Sequence, residues 1–304
     1  MNDKVVIFNQ VAVLFIVMLV GVYAKRKNII TEIVGKKLSE LLLQVTMPLL
    51  IISSFLQTEF SKEMLVNAAI VFAISMGIHI FSSVLGIFIY RGYPVQSQNV
   101  LKFITLFSNC AFMGFPVLKS VYGSIGIFYG SIYIISFNLF LWTYGVMIFD
   151  SGNKMDTLKK AFINPGIIAV LIGMVIFVFS IKIPDPIANS ISMVGGLTTP
   201  ISMLIIGALI AGVDPKNIFS GFSVYYASFV RLIAIPAIAL LILKFIGTPT
   251  TLIGINVVSA AMPAAANTAI FTEMYNGDSV LASRIIAIST MFSIVTIPLI
   301  ISFI

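Results

Sequence analysis

The stretch FSNCAFMGFP at residues 107–116 decides the fold class. It interrupts an apolar segment with small and polar residues and with Pro116, and a proline lacks a backbone donor and clashes with the carbonyl four residues back. A similar stretch, SAAMPAAANT at residues 259–268, contains Pro263. Inside a bilayer, such interruptions are tolerated only where protein or a water-filled cavity satisfies the freed backbone groups. The pair therefore predicts two broken membrane helices whose breaks face away from lipid.

The composition around these stretches is that of an integral membrane protein. Hydrophobic residues make up 59% of the 304 residues, charged residues make up 10%, and the mean hydropathy is +1.10. Soluble domains contain about 25% charged residues. The net charge of +7 comes mainly from basic residues near the ends of apolar segments, where membrane topology explains them, so we expect no nucleic-acid partner. The single cysteine, Cys110, excludes an intrachain disulfide.

Ten apolar runs of roughly the 20 residues that span a bilayer divide the chain. We number them as predicted spans 1 to 10, at 5–24, 38–56, 64–90, 100–121, 126–149, 165–181, 187–211, 223–246, 251–275 and 279–303. The longest polar stretch falls at mid-chain. The predicted organisation is a first five-helix repeat at 1–150, a cytoplasmic linker at 151–164 and a second repeat at 165–304.

The distribution of lysine and arginine predicts the orientation, because cytoplasmic loops carry an excess of these residues. One side of the predicted membrane has twelve: Lys25, Arg26, Lys27, Lys36, Lys37, Arg91, Lys102, Lys154, Lys159, Lys160, Lys216 and Arg284. The other side has five: Lys4, Lys62, Lys119, Lys182 and Lys244. This bias predicts a cytoplasmic linker and two extracytoplasmic termini in the cell membrane.

An odd number of spans in each half predicts two repeats inserted in opposite directions. Corresponding spans support the repeat, because spans 2 and 7 both carry threonine and proline together and spans 4 and 9 both carry a central proline. We interpret Pro48, Gly114 and Pro200 as crossing or hinge residues.

Paired breaks in two halves are the best sequence indication of a transporter binding site. The N-termini of half-helices present free N–H groups and a partial positive charge, which suit an anion. Pro116, Pro263, Asn109 and Asn267 are therefore candidate substrate-binding residues. The two asparagines could bind substrate, or they could only satisfy backbone groups that the breaks leave free.

Two further polar residues are candidates for the site. Arg231 lies on the order of 10 Å into predicted span 8, which is a moderate depth. A charge at mid-bilayer costs about 2.5–3.5 kcal/mol. Arg231 could face a cavity and attract an anion, or it could extend to the headgroups or pair with Glu273. Gln44 could face the same region, with an interhelical hydrogen bond as the alternative.

His79 is the only histidine, and with Glu273 it is a candidate for proton or ion coupling. A hydrogen-bonded packing role is the alternative for His79. The sequence has no metal-ligand cluster, no nucleophile set and no phosphate-binding loop. We therefore expect no enzyme activity, no cofactor and no metal.

The ordered motifs of the chain resemble the auxin efflux carrier family, which includes plant PIN-type carriers and bacterial malate and malonate permease-like members. The resemblance covers nearly the whole chain. It is carried by Asn109, Met113-Gly114-Phe115-Pro116, Leu118-Lys119, Tyr122-Gly123, Asn164-Pro165, Leu171-Ile172-Gly173, residues 200–207, Val230-Arg231, Pro236, Met262-Pro263 and Tyr275-Asn276.

The resemblance implies an all-α fold of ten helices in two inverted repeats, similar to bile acid/sodium symporters. It implies a scaffold of spans 1, 2, 6 and 7, a transport domain of spans 3–5 and 8–10, and an elevator motion. Broken spans 4 and 9 would cross at the proline pair, and Asn109 matches the family asparagine that contacts a carboxylate. The long cytoplasmic loop of many plant members is absent here. The second crossing reads Pro263-Ala264-Ala265-Ala266-Asn267 and differs from the plant form, so the substrate need not be auxin.

The sequence thus predicts a secondary transporter that moves a small carboxylate, such as malate, malonate or an auxin-like acid, by alternating access. A proton- or sodium-coupled exchanger on the same fold is one alternative. A passive anion channel or a non-transporting sensor is the other. The expected partners are the substrate and the lipid bilayer, and a homodimer is one candidate assembly.

Overall fold

The structure, a computed structural model, describes residues 3–149, 164–212, 219–275 and 277–304. Most of the predicted linker at 151–164 lies outside the described residues. Within these ranges the chain is helical, apart from turns and one isolated β-bridge. The helices are α1 (Asp3–Arg26), α2 (Glu32–Leu41), α3 (Met47–Leu56), α4 (Lys62–Ile89), α5 (Val95–Leu106), α6 (Phe115–Phe140), α7 (Val146–Phe149), α8 (Pro165–Val178), α9 (Asp185–Gly196), α10 (Thr198–Ala211), α11 (Phe222–Phe229), α12 (Ile235–Phe245), α13 (Thr250–Ala261), α14 (Asn267–Met274) and α15 (Ser279–Ser302).

In the described ranges, six helical segments are long and apolar enough to cross a membrane. They are Glu32–Leu56, Lys62–Ile89, Cys110–Phe149, Asp185–Ala211, Phe222–Phe245 and Ser279–Ser302. Helices α8 and α13 are apolar but shorter. The prediction of an all-helical, multi-pass membrane protein is confirmed at this level. The count of ten spans and the inverted repeat stay predictions.

Large apolar side chains cover the outside of these helices. Leu19, Phe88, Met193 and Phe222 are each more than half exposed, and Phe245 is 92% exposed. Apolar surface of this extent is unfavourable in water by about 25 cal/mol per Å², whereas a hydrocarbon environment removes that cost. The surface is therefore suited to contact with lipid tails.

π-helical turns widen several helices and are linked to prolines. These turns cover Leu42–Thr46, Cys110–Gly114, Leu141–Gly145 and Val230–Ala234. Pro48, Pro116 and Pro236 each follow one of them by two residues. Because a proline removes one donor and crowds the carbonyl four residues back, a widened turn lets the helix continue past it. The three prolines therefore reshape helices without ending them.

The chain divides into two compact units, and each unit draws on both halves of the sequence. The first comprises Met1–Phe72, Ala111–Ile135 and Lys160–Gly212. The second comprises Ala73–Cys110, Ser136–Lys159 and Val213–Ile304.

Close helix contacts in the first unit depend on glycine. A Cβ atom on Gly207 would overlap the carbonyl oxygen of Met18, and one on Gly21 would overlap that of Leu204, so the backbones of α1 and α10 touch. Small residues permit this approach, which is how membrane helices gain packing energy in lipid.

The chain reverses direction within α6, at Gly123. Gly123 has φ 62° and ψ −144°, a conformation that L side chains rarely adopt. A Cβ on Gly126 would overlap the carbonyl oxygen of Leu118, so the segments on either side of Gly123 lie against each other. This reversal falls between predicted spans 4 and 5.

The core of the second unit forms around α5, α11 and α15. Leu101 and Ile104 of α5 are fully buried, as are Ala227 of α11 and Ile285 of α15. The buried Tyr90 hydroxyl lies 2.8 Å from Thr105 Oγ1 near the end of α5. The candidate site begins where α5 ends, at Leu106.

Candidate functional site

The two predicted breaks meet in a short antiparallel bridge inside the second unit. The Asn109 N–H donates to the Pro263 carbonyl oxygen at 2.7 Å, and the Ala265 N–H donates to the Phe107 carbonyl oxygen at 3.1 Å. Ser108 and Ala264 are the paired residues of this bridge. Each break therefore satisfies backbone groups that the other leaves free, as burial in an apolar environment requires. We call residues 107–109 and 263–265 the crossing.

Two serine side chains complete the hydrogen bonding of the crossing. The Ser108 hydroxyl donates to the carbonyl oxygen of Ser259, in the last turn of α13, at 2.8 Å. The Ala264 N–H donates to Ser289 Oγ of α15 at 3.1 Å. Both serines are buried, so an unpaired backbone group beside them would cost about 1–3 kcal/mol.

Arg231 connects the C-terminal ends of the two half-helices. One terminal nitrogen, Nη1, donates to the Thr105 carbonyl oxygen at 2.7 Å and lies 3.5 Å from that of Leu106. The other, Nη2, donates to the carbonyl oxygen of Ala260. The last carbonyls of a helix lack intrahelical partners and carry about half a negative charge, so a cation stabilises them.

The side chain of Arg231 is 1% exposed and thus lies inside the unit. It does not reach the outer surface of the chain, which was one alternative for this residue. Its guanidinium is directed at backbone carbonyls of α5 and α13. Whether it also contacts substrate stays a prediction.

Helical segments begin again immediately after the crossing. The chain continues into the π-helical turn Cys110–Gly114 on one side and into α14 on the other. The Thr268 and Ala269 N–H groups donate to the Ala265 and Ala266 carbonyl oxygens at 3.0 and 3.4 Å, so the first turn of α14 closes directly onto the crossing. The N-terminus of α14 also carries the partial positive charge of a helix dipole. Thr268, in this first turn, is fully buried, and its hydroxyl has no hydrogen-bond partner within the described residues.

Of the predicted asparagines and prolines, two lie in the crossing itself and Asn267 lies just after it. Asn109 and Pro263 lie in the crossing and are hydrogen-bonded through their backbones. The Asn109 side chain is 5% exposed, and no hydrogen bond found within the described ranges uses its carboxamide. Asn267 begins α14, but its side chain lies outside the described residues.

Pro116 does not pair with Pro263, because the first break falls at residues 107–109. Pro116 is buried in the first turn of α6, directly after the π-helical turn that ends at Gly114. The expected crossing at a proline pair is thus replaced by a pairing of Asn109 with Pro263. The difference arises because a widened turn accommodates Pro116 within a helix.

Gln44, Pro48 and Pro200 belong to the first unit, whereas the crossing belongs to the second. Gln44 is exposed in the π-helical turn before Pro48. Pro48 follows the π-helical turn Leu42–Thr46, which lets the helix continue past it. Pro200 lies in the first turn of α10, where a missing N–H costs no helical hydrogen bond.

Of the two coupling candidates, His79 and Glu273, only His79 has a described side chain. His79 Nδ1 lies 2.7 Å from the Ser75 carbonyl oxygen, and its ring stacks on Phe140 with 5.2 Å between centroids. Since a carbonyl only accepts, Nδ1 carries the proton of this hydrogen bond. The Glu273 side chain lies outside the described residues. The described residues contain no group of three or more His, Cys, Asp or Glu side chains that could hold a metal.

Sequence reasoning missed Ser108, Ser289 and Thr268 as parts of the site. Ser108 and Thr268 flank the predicted breaks, and their hydroxyls within apolar stretches were a usable signal. Ser289 sits in an unbroken helix, and no local pattern distinguishes it from the other serines of α15.

Two broken helices that cross inside a multi-pass helical protein are typical of secondary transporters, so fold and site together define a membrane transport protein. The family model described as membrane transport protein matches residues 6–301, and the chain belongs to this family, the auxin efflux carrier family. The predicted family is thus confirmed. The chain is 25% identical over 299 residues to an uncharacterized transporter of Methanocaldococcus jannaschii, covering 95% of this chain and 96% of the relative. It is 24% identical over 292 residues to an uncharacterized transporter of Methanothermobacter thermautotrophicus, and the match covers 93% of this chain and 94% of that relative.

Proposed function

We propose that this transporter is a secondary carrier that moves a small carboxylate across the cell membrane by alternating access at the crossing. The observation that carries the proposal is the polar group at the start of α14 and in the facing break. It comprises the Asn109 carboxamide and the Thr268 hydroxyl, with the positive end of the α14 dipole beside Thr268.

The chemistry of this group favours an anion that accepts hydrogen bonds. A carboxylate has two oxygens with about four acceptor sites, and the amide nitrogen of Asn109 and the hydroxyl of Thr268 can both donate. A hydrogen bond to a charged group contributes about 1.5–3 kcal/mol, so two or three of them offset much of the cost of desolvating a small anion. The dipole of α14 acts in the same direction.

The division of the chain supports an elevator-like motion. Both strands of the crossing, together with Arg231 and Ser289, belong to the second unit. The hydrogen bonds between the two breaks lie within one unit, so the site can change its exposure without breaking them. We propose that the second unit is the moving part of the carrier.

Uptake by the purified protein in proteoliposomes tests the proposal. We expect saturable uptake of at least one labelled dicarboxylate among malate, malonate and close analogues, with counterflow when the vesicles are preloaded with the same acid. The variant Asn109→Ala should raise KM about 10-fold or more, because it removes one hydrogen bond to a charged group. The matched control is Asn189→Ala, which changes an exposed asparagine of α9 and should keep the parental KM.

Other outcomes would select another function. Flux without saturation or counterflow would identify a passive anion channel. Uptake that required a sodium or proton gradient would identify a coupled exchanger. An absence of flux for every carboxylate tested, with folded protein in the vesicles, would refute the proposed substrate class.

A further inference from the structure

A buried arginine that holds two helix ends together lies beside the crossing. Helices α5 and α13 are separated by more than 140 residues in the sequence, yet both end at the Arg231 guanidinium. Each C-terminus carries a partial charge of about −0.5, so two of them approach one full negative charge. One guanidinium supplies the opposite charge and donates hydrogen bonds to both ends.

The position of Arg231 on its helix depends on a π-helical turn. Arg231 is the second residue of the turn Val230–Ala234, which precedes Pro236 in α12. A π-helical turn inserts one extra residue and so rotates the flanking segments relative to each other. Such turns often mark functional positions, and this one presents a charged side chain to the interior of the unit.

Carbonyl oxygens at the ends of broken helices are groups that bind coupling cations in other carriers. In this chain the carbonyls of Thr105 and Ala260 are already hydrogen-bonded to the guanidinium. An exchangeable Na⁺ at these oxygens would have to displace a fixed side chain of the same charge.

We propose that Arg231 is a resident cation, a positioning residue that stabilises the two half-helix ends in place of an exchangeable coupling cation. It holds the crossing, and through it Asn109, in the geometry that binds the anion. This inference rests on the proposed carrier function for its transport readout, but not for its stability readout. It implies that carboxylate uptake by the parental chain needs no Na⁺, and that removing the guanidinium creates a requirement for an external cation.

The experiment compares Arg231→Ala, Arg231→Gln and Arg231→Lys with the parental protein. We expect Arg231→Ala and Arg231→Gln to lower uptake about 10- to 100-fold, as expected when charge-assisted hydrogen bonds are lost. Arg231→Lys should retain more uptake than Arg231→Gln, because it keeps the charge. Guanidinium chloride at low millimolar concentration should restore uptake by Arg231→Ala several-fold and leave the parental rate unchanged. The control is Arg284→Ala, which removes a half-buried arginine of α15 and should show no rescue.

A second readout keeps the test decisive if transport is too weak to measure. The thermal unfolding midpoint of detergent-purified Arg231→Ala should rise with added guanidinium, whereas that of Arg284→Ala should not. If Arg231→Ala does not fold, the comparison of Arg231→Lys with Arg231→Gln replaces it, with the lysine variant expected to unfold at the higher temperature.

Several results would overturn the inference. They are equal behaviour of the lysine and glutamine variants, no response of Arg231→Ala to guanidinium in either readout, or a strict Na⁺ requirement of the parental protein. If the parental chain moves no carboxylate while guanidinium still stabilises Arg231→Ala, the proposed substrate class fails and the resident cation stands.

Discussion

The hydrogen bond from α15 to the crossing gives a sharp test of the site geometry. Replacing Ser289 with alanine removes the oxygen that accepts from the Ala264 N–H at 3.1 Å. Ala264 is fully buried, so its N–H would find no water. The Ser289 hydroxyl also donates to the Ile286 carbonyl oxygen, but that oxygen still accepts a hydrogen bond from the Thr290 hydroxyl at 2.6 Å when Ser289 is replaced. The main effect of the variant is therefore that the buried Ala264 N–H loses its hydrogen-bond partner.

The magnitude follows from that single unpaired donor. A buried backbone group without a partner costs about 1–3 kcal/mol. For chains of 150–250 residues, 1 kcal/mol corresponds to about 2–4 °C in the unfolding midpoint. We expect Ser289→Ala to lower the midpoint by about 2–12 °C, measured by thermal unfolding of the purified protein in one detergent.

The control for this prediction is Ser190→Ala. Ser190 also donates to a carbonyl of its own helix, that of Pro186 at 2.7 Å, but it is exposed and accepts no backbone N–H that the structure describes. Surface changes of this kind stay within about 0.5 kcal/mol. Equal midpoints for the two variants would refute the bridge between the breaks as the structure places it. A lower carboxylate affinity of Ser289→Ala would further link the bridge to Asn109.

Three further changes test other features of the fold. Gly195→Ala would place a Cβ atom 2.7 Å from the backbone nitrogen of Leu50, so we expect the free energy of unfolding to fall by about 1–3 kcal/mol in a thermal unfolding assay. The control is Gly196→Ala, whose Cβ meets no atom within 4 Å and which should be neutral. Gly123→Ala forces an L side chain to φ 62° and should cost about 1–3 kcal/mol in the same assay, and an unchanged midpoint would contradict the reversal of α6. Pro236→Ala restores a backbone donor and should favour a regular α-helix in place of the π-helical turn. Arg231 would then turn away from the helix ends, and carboxylate uptake should fall about 10-fold. If the variant takes up carboxylate at the parental rate, the π-helical turn does not depend on this proline.

Much of this fold follows from local sequence signals. Apolar runs and the scarcity of charge predict membrane helices, because the cost of burying charge in hydrocarbon acts on each segment separately. The two interrupted stretches were located from proline, asparagine and small residues, and the structure brings them together at the crossing. These predictions needed no knowledge of which segment lies beside which.

The misplaced position of the first break has a physical cause. Proline predicts the point of interruption in both stretches, and in the second stretch the helix does end two residues before Pro263. At Pro116 the helix continues, because a π-helical turn accommodates the ring, and the break falls at residues 107–109 instead. A proline thus predicts that a helix must adapt, but its tertiary surroundings decide between a kink, a widened turn and a break.

Local sequence patterns do not predict the contacts that the structure describes for Arg231, because they are made to backbone carbonyls. Any residue can supply a carbonyl, so no pattern in the sequence identifies Thr105 and Ala260 as partners of Arg231. Only the folded arrangement brings the ends of α5 and α13 to one point and leaves their carbonyls in need of donors.

The same argument explains why one deeply buried arginine is tolerated in a chain with so few charges. An isolated cation in the bilayer interior is costly, but two helix C-termini present an almost complete counter-charge that belongs to the backbone. The breaks and the arginine therefore stabilise each other: the breaks create the carbonyl cluster, and the arginine makes the cluster stable in an apolar interior. A variant that removes either one should weaken the other. The double variant Arg231→Gln/Ser108→Ala should therefore lower the free energy of unfolding by less than the sum of the two single variants.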